Sequence, residues 1–321
     1  MAQKFFTYGP DNVGTLLSTT LSQYAQTKLE DNVFNAMPFL AEMNKRKKSF
    51  DGGASIVVPL MFEANETSTW YNMYDILDTT PQNGFTSAQA KWKNLATSVS
   101  IAGEEARQNS GKNRISSLLE GKIKQAEMSI RNQLTNALFA ATTASKKIEA
   151  LAVMMDATST IQDINSTNNS WWQADVTTGV GAFATNGLSA MRTSWTNVSN
   201  RQPSGTPNII VTTPAVFNAF EASLTSQARY STTDSTAQAT FENLRFKTAS
   251  VFHDTACTSG TMYMFPSDNL YFAVNSNADM KQTEFVKPSN QDAMVAQIIV
   301  MIQLVTNARR KLAKLTGITT A

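Results

Sequence analysis

Ser55-Ile56-Val57-Val58-Pro59-Leu60-Met61-Phe62-Glu63 and Lys91-Trp92-Lys93-Asn94-Leu95-Ala96-Thr97-Ser98-Val99-Ser100-Ile101 are the two runs on which the fold turns. The first follows Asp51-Gly52-Gly53, a turn signal, and reads as an outgoing strand. The second reads as the returning strand: Leu95, Val99 and Ile101 fall on one side and Ala96, Ser98 and Ser100 on the other, a period of two. Between them runs a long polar excursion carrying Trp70, Tyr71 and Tyr74. A helix is expected next, over about 111–141, because Ile115, Leu119, Ile123, Ala126, Ile130, Leu134 and Leu138 recur at steps of three or four. Glu120 with Lys124 and Glu127 with Arg131 are acid-before-base pairs that support its solvent side. At 1.5 Å per residue the rod is roughly 42 Å long. A hairpin of this length, polar at its tip, does not close into one compact core. It reads as an arm built to lie on another subunit.

Outward from the hairpin, residues 2–32 form a polar segment whose Leu16, Leu17, Leu21 and Tyr24 make only a thin apolar stripe, so order there requires docking on a neighbour. Asp31-Asn32 is placed to cap a short helix over 33–43, interrupted at Pro38. Downstream, residues 186–198 read as a helix, 208–211 as a buried strand, and Thr213-Pro214 as the start of a second helix with proline in its favoured first turn. Strands are expected at 244–251, 261–265, 270–274 and 297–305. The middle, 183–285, reads as an α/β inset, and the last strand returns to the sheet that holds the long helix.

Composition narrows the function. The chain has 321 residues, net charge +2 and 16% charged residues, against about 25% in ordinary globular proteins. Surface rich in small polar residues and poor in charge suits burial in an assembly, and the near balance of charge argues against a dedicated nucleic-acid binder. The one cysteine, Cys257, excludes an intrachain disulfide and a cysteine metal cluster. No apolar signal core opens the chain, and the most apolar run, 294–305, is broken by Gln297 and Gln303. The expectation is a soluble protein made in a reducing compartment, without a membrane partner or a cofactor.

The search for chemistry returns no catalytic set. His253 is the sole histidine; with Asp254 and Cys257 nearby it invites a nucleophile-and-base reading, but a half-buried cysteine beside a turn histidine is the plainer one. Glu104-Glu105 sits where carboxylates support a helix N-terminus. Gly179-Val180-Gly181 lacks the third glycine of a phosphate-binding loop. Trp171-Trp172 and the Trp70, Tyr71, Tyr74 group read as protein-contact anchors, because no polar reactive set accompanies them. No metal ligands, cofactor site or enzyme activity are expected.

In order along the chain stand Asn32-Val33-Phe34-Asn35-Ala36-Met37-Pro38-Phe39-Leu40, Gly53-Ala54-Ser55-Ile56-Val57-Val58-Pro59-Leu60, Trp70-Tyr71 with Tyr74-Asp75-Ile76-Leu77-Asp78-Thr79, and Ile101-Ala102-Gly103-Glu104-Glu105. Ile209-Ile210-Val211-Thr212-Thr213-Pro214, Gly260-Thr261-Met262-Tyr263 and Asn307-Ala308-Arg309-Arg310 complete the set. This ordered pattern resembles the tailed-phage major capsid protein with the Hong Kong-type phage capsid fold. The resemblance implies an α+β phage major capsid fold with an N-terminal arm (1–32) and an extended β-hairpin loop (52–101). It further implies a peripheral domain with a long spine helix (33–51, 102–182 and 286–321) and an inset axial α/β domain (183–285). It implies pentamers and hexamers of an icosahedral virion shell, assembled in the host cytoplasm around double-stranded DNA held by weak non-specific contact. Because the arm starts at once, the scaffolding protein is expected to be a separate chain, as is the portal. The alternative within the same fold is an encapsulin-like nanocompartment shell.

The hairpin's contacts can also be anticipated. Glu63, Glu66, Asp75 and Asp78 make its excursion acidic, and it holds no basic residue over 63–78. Complementary charge sets orientation in such contacts. Two basic runs offer themselves: Lys45-Arg46-Lys47-Lys48, and Arg309-Arg310-Lys311 with Lys314. The first is favoured, with Trp70, Tyr71 and Tyr74 as the buried anchor and the charges as the rim; the alternative is that both runs are solvated faces.

Overall fold

The computed structural model describes residues 37–108, 118–225 and 244–320. The sequence expectations for residues 1–36 and for Ile115 lie outside them. By internal contact the chain forms two units, one containing Ala96–Ile130 and Met280–Ile299, the other Asn35–Leu95, Arg131–Asp279 and Val300–Ala321.

The larger unit is built on short strands buried on both faces. Ile209–Thr212 and Met262–Phe265 are buried at every position, which is why they read as continuous apolar runs rather than alternating ones. They sit centrally in a six-stranded mixed sheet ordered Arg245–Phe246, Ala249–His253, Ile209–Thr212, Met262–Phe265, Ala313–Leu315, Asp175–Thr177. Helices Leu188–Ser199 and Pro214–Thr225 supply Met191, Val198, Val216 and Phe220 to a core with Ile210, Val251, Met262 and Met264. Tyr263 and Phe265, the alternate residues of their strand, join a second aromatic group: Phe39 lies 6.2 Å from Phe265 and 5.4 Å from Phe139, and Phe139 lies 6.4 Å from Tyr263. Pro214 opens its helix as its sequence position predicts, and the Thr213 hydroxyl accepts the Val216 N–H at 3.4 Å.

Three boundaries differ from the sequence expectation, each for a local reason. Pro38 stands in the first turn of the helix Pro38–Asn44, where its missing N–H costs nothing, and the part of the expected helix before residue 37 lies outside the described residues. The strand expected over 244–251 is two, Arg245–Phe246 and Ala249–His253, turned at Lys247 (φ 52°), whose Nζ sits 3.7 Å from the Trp195 ring centroid. The long helix, described over Leu118–Leu138 and about 32 Å long over that span, ends three residues early as Phe139 enters the aromatic group. Its stripe is as expected, with Ala126, Ile130, Leu134 and Leu138 buried.

The hairpin is corrected more substantially. Ser55–Met61 pairs antiparallel with Phe85–Lys91, from Ser55↔Lys91 to Met61↔Phe85. The run that read as the returning strand is a separate one, Lys93–Ala102, which pairs with the long strand Ala293–Thr306. It keeps the anticipated alternation, Leu95, Val99 and Ile101 inward and Ala96, Ser98 and Ser100 exposed. Phe85-Thr86-Ser87-Ala88-Gln89-Ala90 escaped notice because its inward residues are only Ala88 and Ala90, small enough to seat the stem against Trp172 and Tyr271. Farther along the same unit, Lys48–Phe50 runs parallel to Leu270–Asn275, which pairs antiparallel with 302–306 of the long strand.

In the smaller unit, Lys281–Gln282 pairs with Ile298 and Ile299 of the long strand. Asp292 accepts Lys287 Nζ at 3.0 Å and Arg107 Nη2 at 2.9 Å, and these bonds hold its carboxyl below the usual range. Glu105 accepts Lys122 Nζ at 2.6 Å and the Ala102 N–H at 3.3 Å, the helix-supporting role expected of it.

The C-terminal basic run turns inward. Arg309 has no solvent exposure. Its Nε donates to Met154 O at 2.9 Å, Nη1 to Ser159 O at 2.8 Å and to Ser166 Oγ, and Nη2 to Asp156 O at 2.6 Å and Val153 O at 3.3 Å. These acceptors include carbonyls at the C-terminal end of the short helix Leu151–Met154, where positive charge is favoured. Burial lowers the guanidinium to about 10, so it stays charged at neutral pH. Lys311, equally buried, donates to Val198 O at 2.8 Å and Gly205 O at 2.7 Å, and Lys314 donates to Ala152 O at 2.9 Å. The run is therefore not the surface patch it resembles in sequence, because three of its four cations close backbone carbonyls.

Arg309→Met should lower the unfolding free energy of the isolated subunit by about 3 kcal/mol or more, since several buried carbonyls lose a charged donor together. Denaturant titration would measure it, with Arg309→Lys recovering less than half because one ammonium cannot replace the fork; a change under about 0.5 kcal/mol would refute the role. Asp156 gives an acid limb. Burial opposes its ionisation, yet hydrogen bonds from Ser159 and Thr158 and the Lys314 charge bring the carboxyl down to about 2. An ordinary aspartate titrates near 3.9, so this contribution is complete above roughly pH 4 and is lost as pH falls through about 2. Asp156→Asn should flatten that part of the stability–pH curve.

Candidate assembly interface

The hairpin stem belongs to the body of its own subunit. Ile56, Val58, Leu60, Ala88 and Ala90 pack on Trp172, Tyr271, Ala273 and Val305. Trp172, expected as an interface anchor, is instead core: it is 2% exposed and donates Nε1–H to Ile161 O at 3.3 Å. Trp171 bridges outward, 5.6 Å from Trp172 and 5.7 Å from Phe62. The Gln89 N–H donates to Gln162 O at 2.9 Å, tying the stem's edge to a tight turn.

Beyond the stem the chain changes character. Phe62 N–H donates to Gly84 O at 3.0 Å, closing a neck. A Cβ on Gly84 would meet Glu63 O at 2.8 Å, so glycine is what lets the two limbs come this close. From there to the turn back the tip contains no strand or helix. Asx turns fold it locally: Asn65 accepts Thr67 N–H (2.9 Å) and Oγ1–H (2.6 Å), Asp75 accepts Asn72 N–H (2.6 Å), and Asp78 accepts Thr80 N–H (2.9 Å) and Oγ1–H (2.6 Å). The Thr80 hydroxyl holds the Asp78 carboxyl below its usual range.

This scaffold leaves its large apolar side chains bare. Trp70 is fully exposed, Ile76 97%, Tyr74 94%, Met73 87% and Tyr71 68%. The stem's outer face continues the patch with Met61 and Phe85. Contiguous apolar surface of this kind marks a protein-contact site, and each such side chain gains about 1.5–3 kcal/mol when buried. Glu63, Glu66, Asp75 and Asp78 are exposed among them. Sequence reasoning had singled out the aromatics and passed over Met73, Ile76 and Leu77. Their signal was an apolar cluster with neither helical nor strand period, so that no face of one subunit could bury it.

The favoured basic run looks different once placed. Lys45 and Arg46 bond Glu42 at 2.8 and 3.0 Å, Lys47 bonds Asp279 at 2.9 Å, and Lys48 Nζ lies 3.8 Å from the Tyr271 ring centroid. Lys45 foremost, with Arg46, holds Glu42 below the usual carboxylate range against its partial burial. Every cation of the run already has an intrachain partner. Among the described residues, no ion pair joins the run to the tip within one subunit.

Cys257 and His253 do not form a reactive pair. His253 is exposed, its ring 4.8 Å from that of Phe217, while Cys257 is buried with Sγ 3.5 Å from Thr261 Oγ1. Burial pushes the thiol up to about 11, away from a nucleophile's range. Among the described residues, no group of three or more His, Cys, Asp or Glu is placed to hold a metal ion, and no helix is long and apolar enough to cross a membrane.

No protein-family model and no curated protein sequence matches the chain. Solved structures do. The capsid asymmetric unit of cyanophage A-1(L) superposes with a TM-score of 0.69 at 15% identity, covering 96% of this chain and 100% of that one. Mycobacterium phage Bobi gives 0.60 at 10% identity, with 96% and 98% covered. The SrpI encapsulin of Synechococcus elongatus gives 0.60 at 8% identity, with 94% and 95% covered. At such low identities the likeness concerns the fold, and the fold is that of the phage major capsid proteins.

The exposed tip makes a checkable expectation: chymotrypsin should cut the unassembled subunit first within 70–77, leaving two fragments that stay associated through the stem. Mass spectrometry would locate the cut. First cleavage elsewhere in the described residues would contradict the exposed tip.

Proposed function

We propose that this chain is the major capsid protein of a tailed bacteriophage, a structural and non-catalytic protein of the virion. Its copies form the pentamers and hexamers of an icosahedral shell around double-stranded DNA. The observation that carries the reading is the tip, a group of exposed aromatic and aliphatic side chains beyond a paired stem, on a fold shared with phage capsid subunits. Such a group is stable in water only when another copy covers it. Contacts between unlike surfaces of identical subunits close rings and join them, which a projecting arm provides without a larger core. Permanent interfaces of this sort bury about 2,000–5,000 Å².

In this reading the hairpin Ser55–Lys91 with its tip is the extended loop, and Lys93–Ala102, which the expected span 52–101 also took in, goes with the strand Ala293–Thr306; 1–32 are the N-terminal arm, 183–285 the axial domain, and 33–51, 102–182 and 286–321 the peripheral domain. A separate scaffolding protein and a portal complete the head, and assembly takes place in the host cytoplasm. The likeness to an encapsulin supports a second reading, a nanocompartment shell; the contents of purified particles, genome or cargo protein, separate the two.

Removing residues 64–90 would take away the strand Phe85–Lys91 and unfold the stem. Replacing 64–83 with a short Gly-Ser turn spares it. That variant should keep its circular dichroism and form no shells by negative-stain microscopy. Normal shells would overturn the assembly role of the tip.

A further inference from the structure

Two asparagines of the chain stand directly before a glycine, Asn83 and Asn186. Glycine has no Cβ to shield its nitrogen or to restrict its backbone, so that nitrogen can reach the asparagine Cγ one residue back wherever the chain is free to turn. The fold treats the two sites in opposite ways. Asn186 lies in the helical segment Phe183–Gly187 and donates Nδ2–H to Val180 O at 3.0 Å. Gly187 is buried, and a Cβ there would run into the Phe183 ring. Helical backbone also aims the Gly187 N–H along the axis, away from the side chain before it. Asn83 is exposed, and residues 81–84 belong to no helix or strand. At the neck Gly84 O accepts the Phe62 N–H at 3.0 Å, but Gly84 N–H makes no bond in return. Among the described residues, neither that N–H nor the Asn83 amide has a hydrogen-bond partner. The other tip asparagines, Asn65 and Asn72, precede Glu66 and Met73 and hold their side chains in turn hydrogen bonds.

We propose that Asn83 is a site of spontaneous covalent modification, at which the neck of the free subunit converts itself to isoaspartate and aspartate. The Gly84 nitrogen gives up its proton and bonds to Asn83 Cγ. The Cγ–Nδ2 bond breaks, ammonia leaves, and a five-membered succinimide closes. One water then opens the ring. Addition at the main-chain carbonyl breaks its bond to the Gly84 nitrogen and leaves isoaspartate; addition at Cγ leaves aspartate. Nothing is oxidised or reduced, and water is the one co-reactant. Both products add a carboxylate to a limb that already carries Glu63, Glu66, Asp75 and Asp78 and has no cation over 63–90. Isoaspartate also routes the main chain through the β-carbon, one atom longer, directly before the neck bond. The neck is tight there, since a Cβ on Gly84 would meet Glu63 O at 2.8 Å. The reaction therefore displaces the tip and removes the subunit's ability to form shells. This consequence rests on assembly through the tip; the reaction itself does not.

The full chain is kept below its assembly concentration in mildly acidic and mildly alkaline buffer and sampled over days. Peptide mass spectrometry with electron-transfer fragmentation locates the product and separates isoaspartate from aspartate. Asn83 should gain about one dalton ahead of every other described asparagine, Asn186 included. The gain should be faster in alkali, because the attacking nitrogen must be deprotonated. Asn83→Gln, which would have to close a six-membered ring, should abolish it and keep its shell yield on ageing, while the wild type loses yield in step with conversion. Earlier conversion of Asn65, Asn72 or Asn186, or equal rates in acid and alkali, would overturn the site. Full conversion at Asn83 with undiminished shell yield would overturn its effect on the tip. A fresh wild-type chain that forms no shells would overturn the assembly reading and that effect together, and the mass gain would still decide the site.

Discussion

A guanidinium with no access to water holds the larger unit together. Stripping an arginine of solvent is expensive, and the cost is offset only when its donors all find acceptors in fitting geometry. Here the acceptors are carbonyls from a short helix end and the turn after it, among them Met154 O and Asp156 O. Lys311 and Lys314 repeat the device, the first at the end of helix Leu188–Ser199. Three cations spaced over six residues therefore bring the C-terminal segment against two helices, Leu151–Met154 and Leu188–Ser199, and the strand Ala313–Leu315 enters its sheet from that anchorage.

Much of the fold was legible because its strongest elements are periodic. The long helix shows its stripe, Lys93–Ala102 shows its alternation, and the buried strands near 210 and 263 show unbroken apolar runs. What escaped had its meaning in tertiary contact. Ala88 and Ala90 are weak signals in a pattern and the right size against Trp172. Gln303, which breaks an apolar run in sequence, is a buried amide that donates to Lys91 O and accepts from Glu149 and Leu304 N–H. Arg309 and Lys311 read as surface because charge ordinarily is. In the candidate interface the aromatics and acids of the tip were evident from composition and position.

The hairpin divides its labour at Gly84. Below it, packing is intrachain and the side chains are chosen for fit; above it, they are chosen for a surface the subunit does not itself contain. That division explains how one segment can be orderly at its base and apolar at its end.

The neck has a mechanical meaning as well. The tip meets the stem through two chain crossings and one backbone hydrogen bond, from Phe62 N–H to Gly84 O, while the buried faces of the stem lie wholly on the near side of it. Rotation about those crossings would change the bearing of the tip while leaving the buried faces of the stem in place. In a closed shell, identical subunits occupy positions of unequal curvature, and something in each must bend. In the shell proposed for this chain, a pivot at this place would let one gene product meet all of them with the same body and the same grip, only the angle between the two differing.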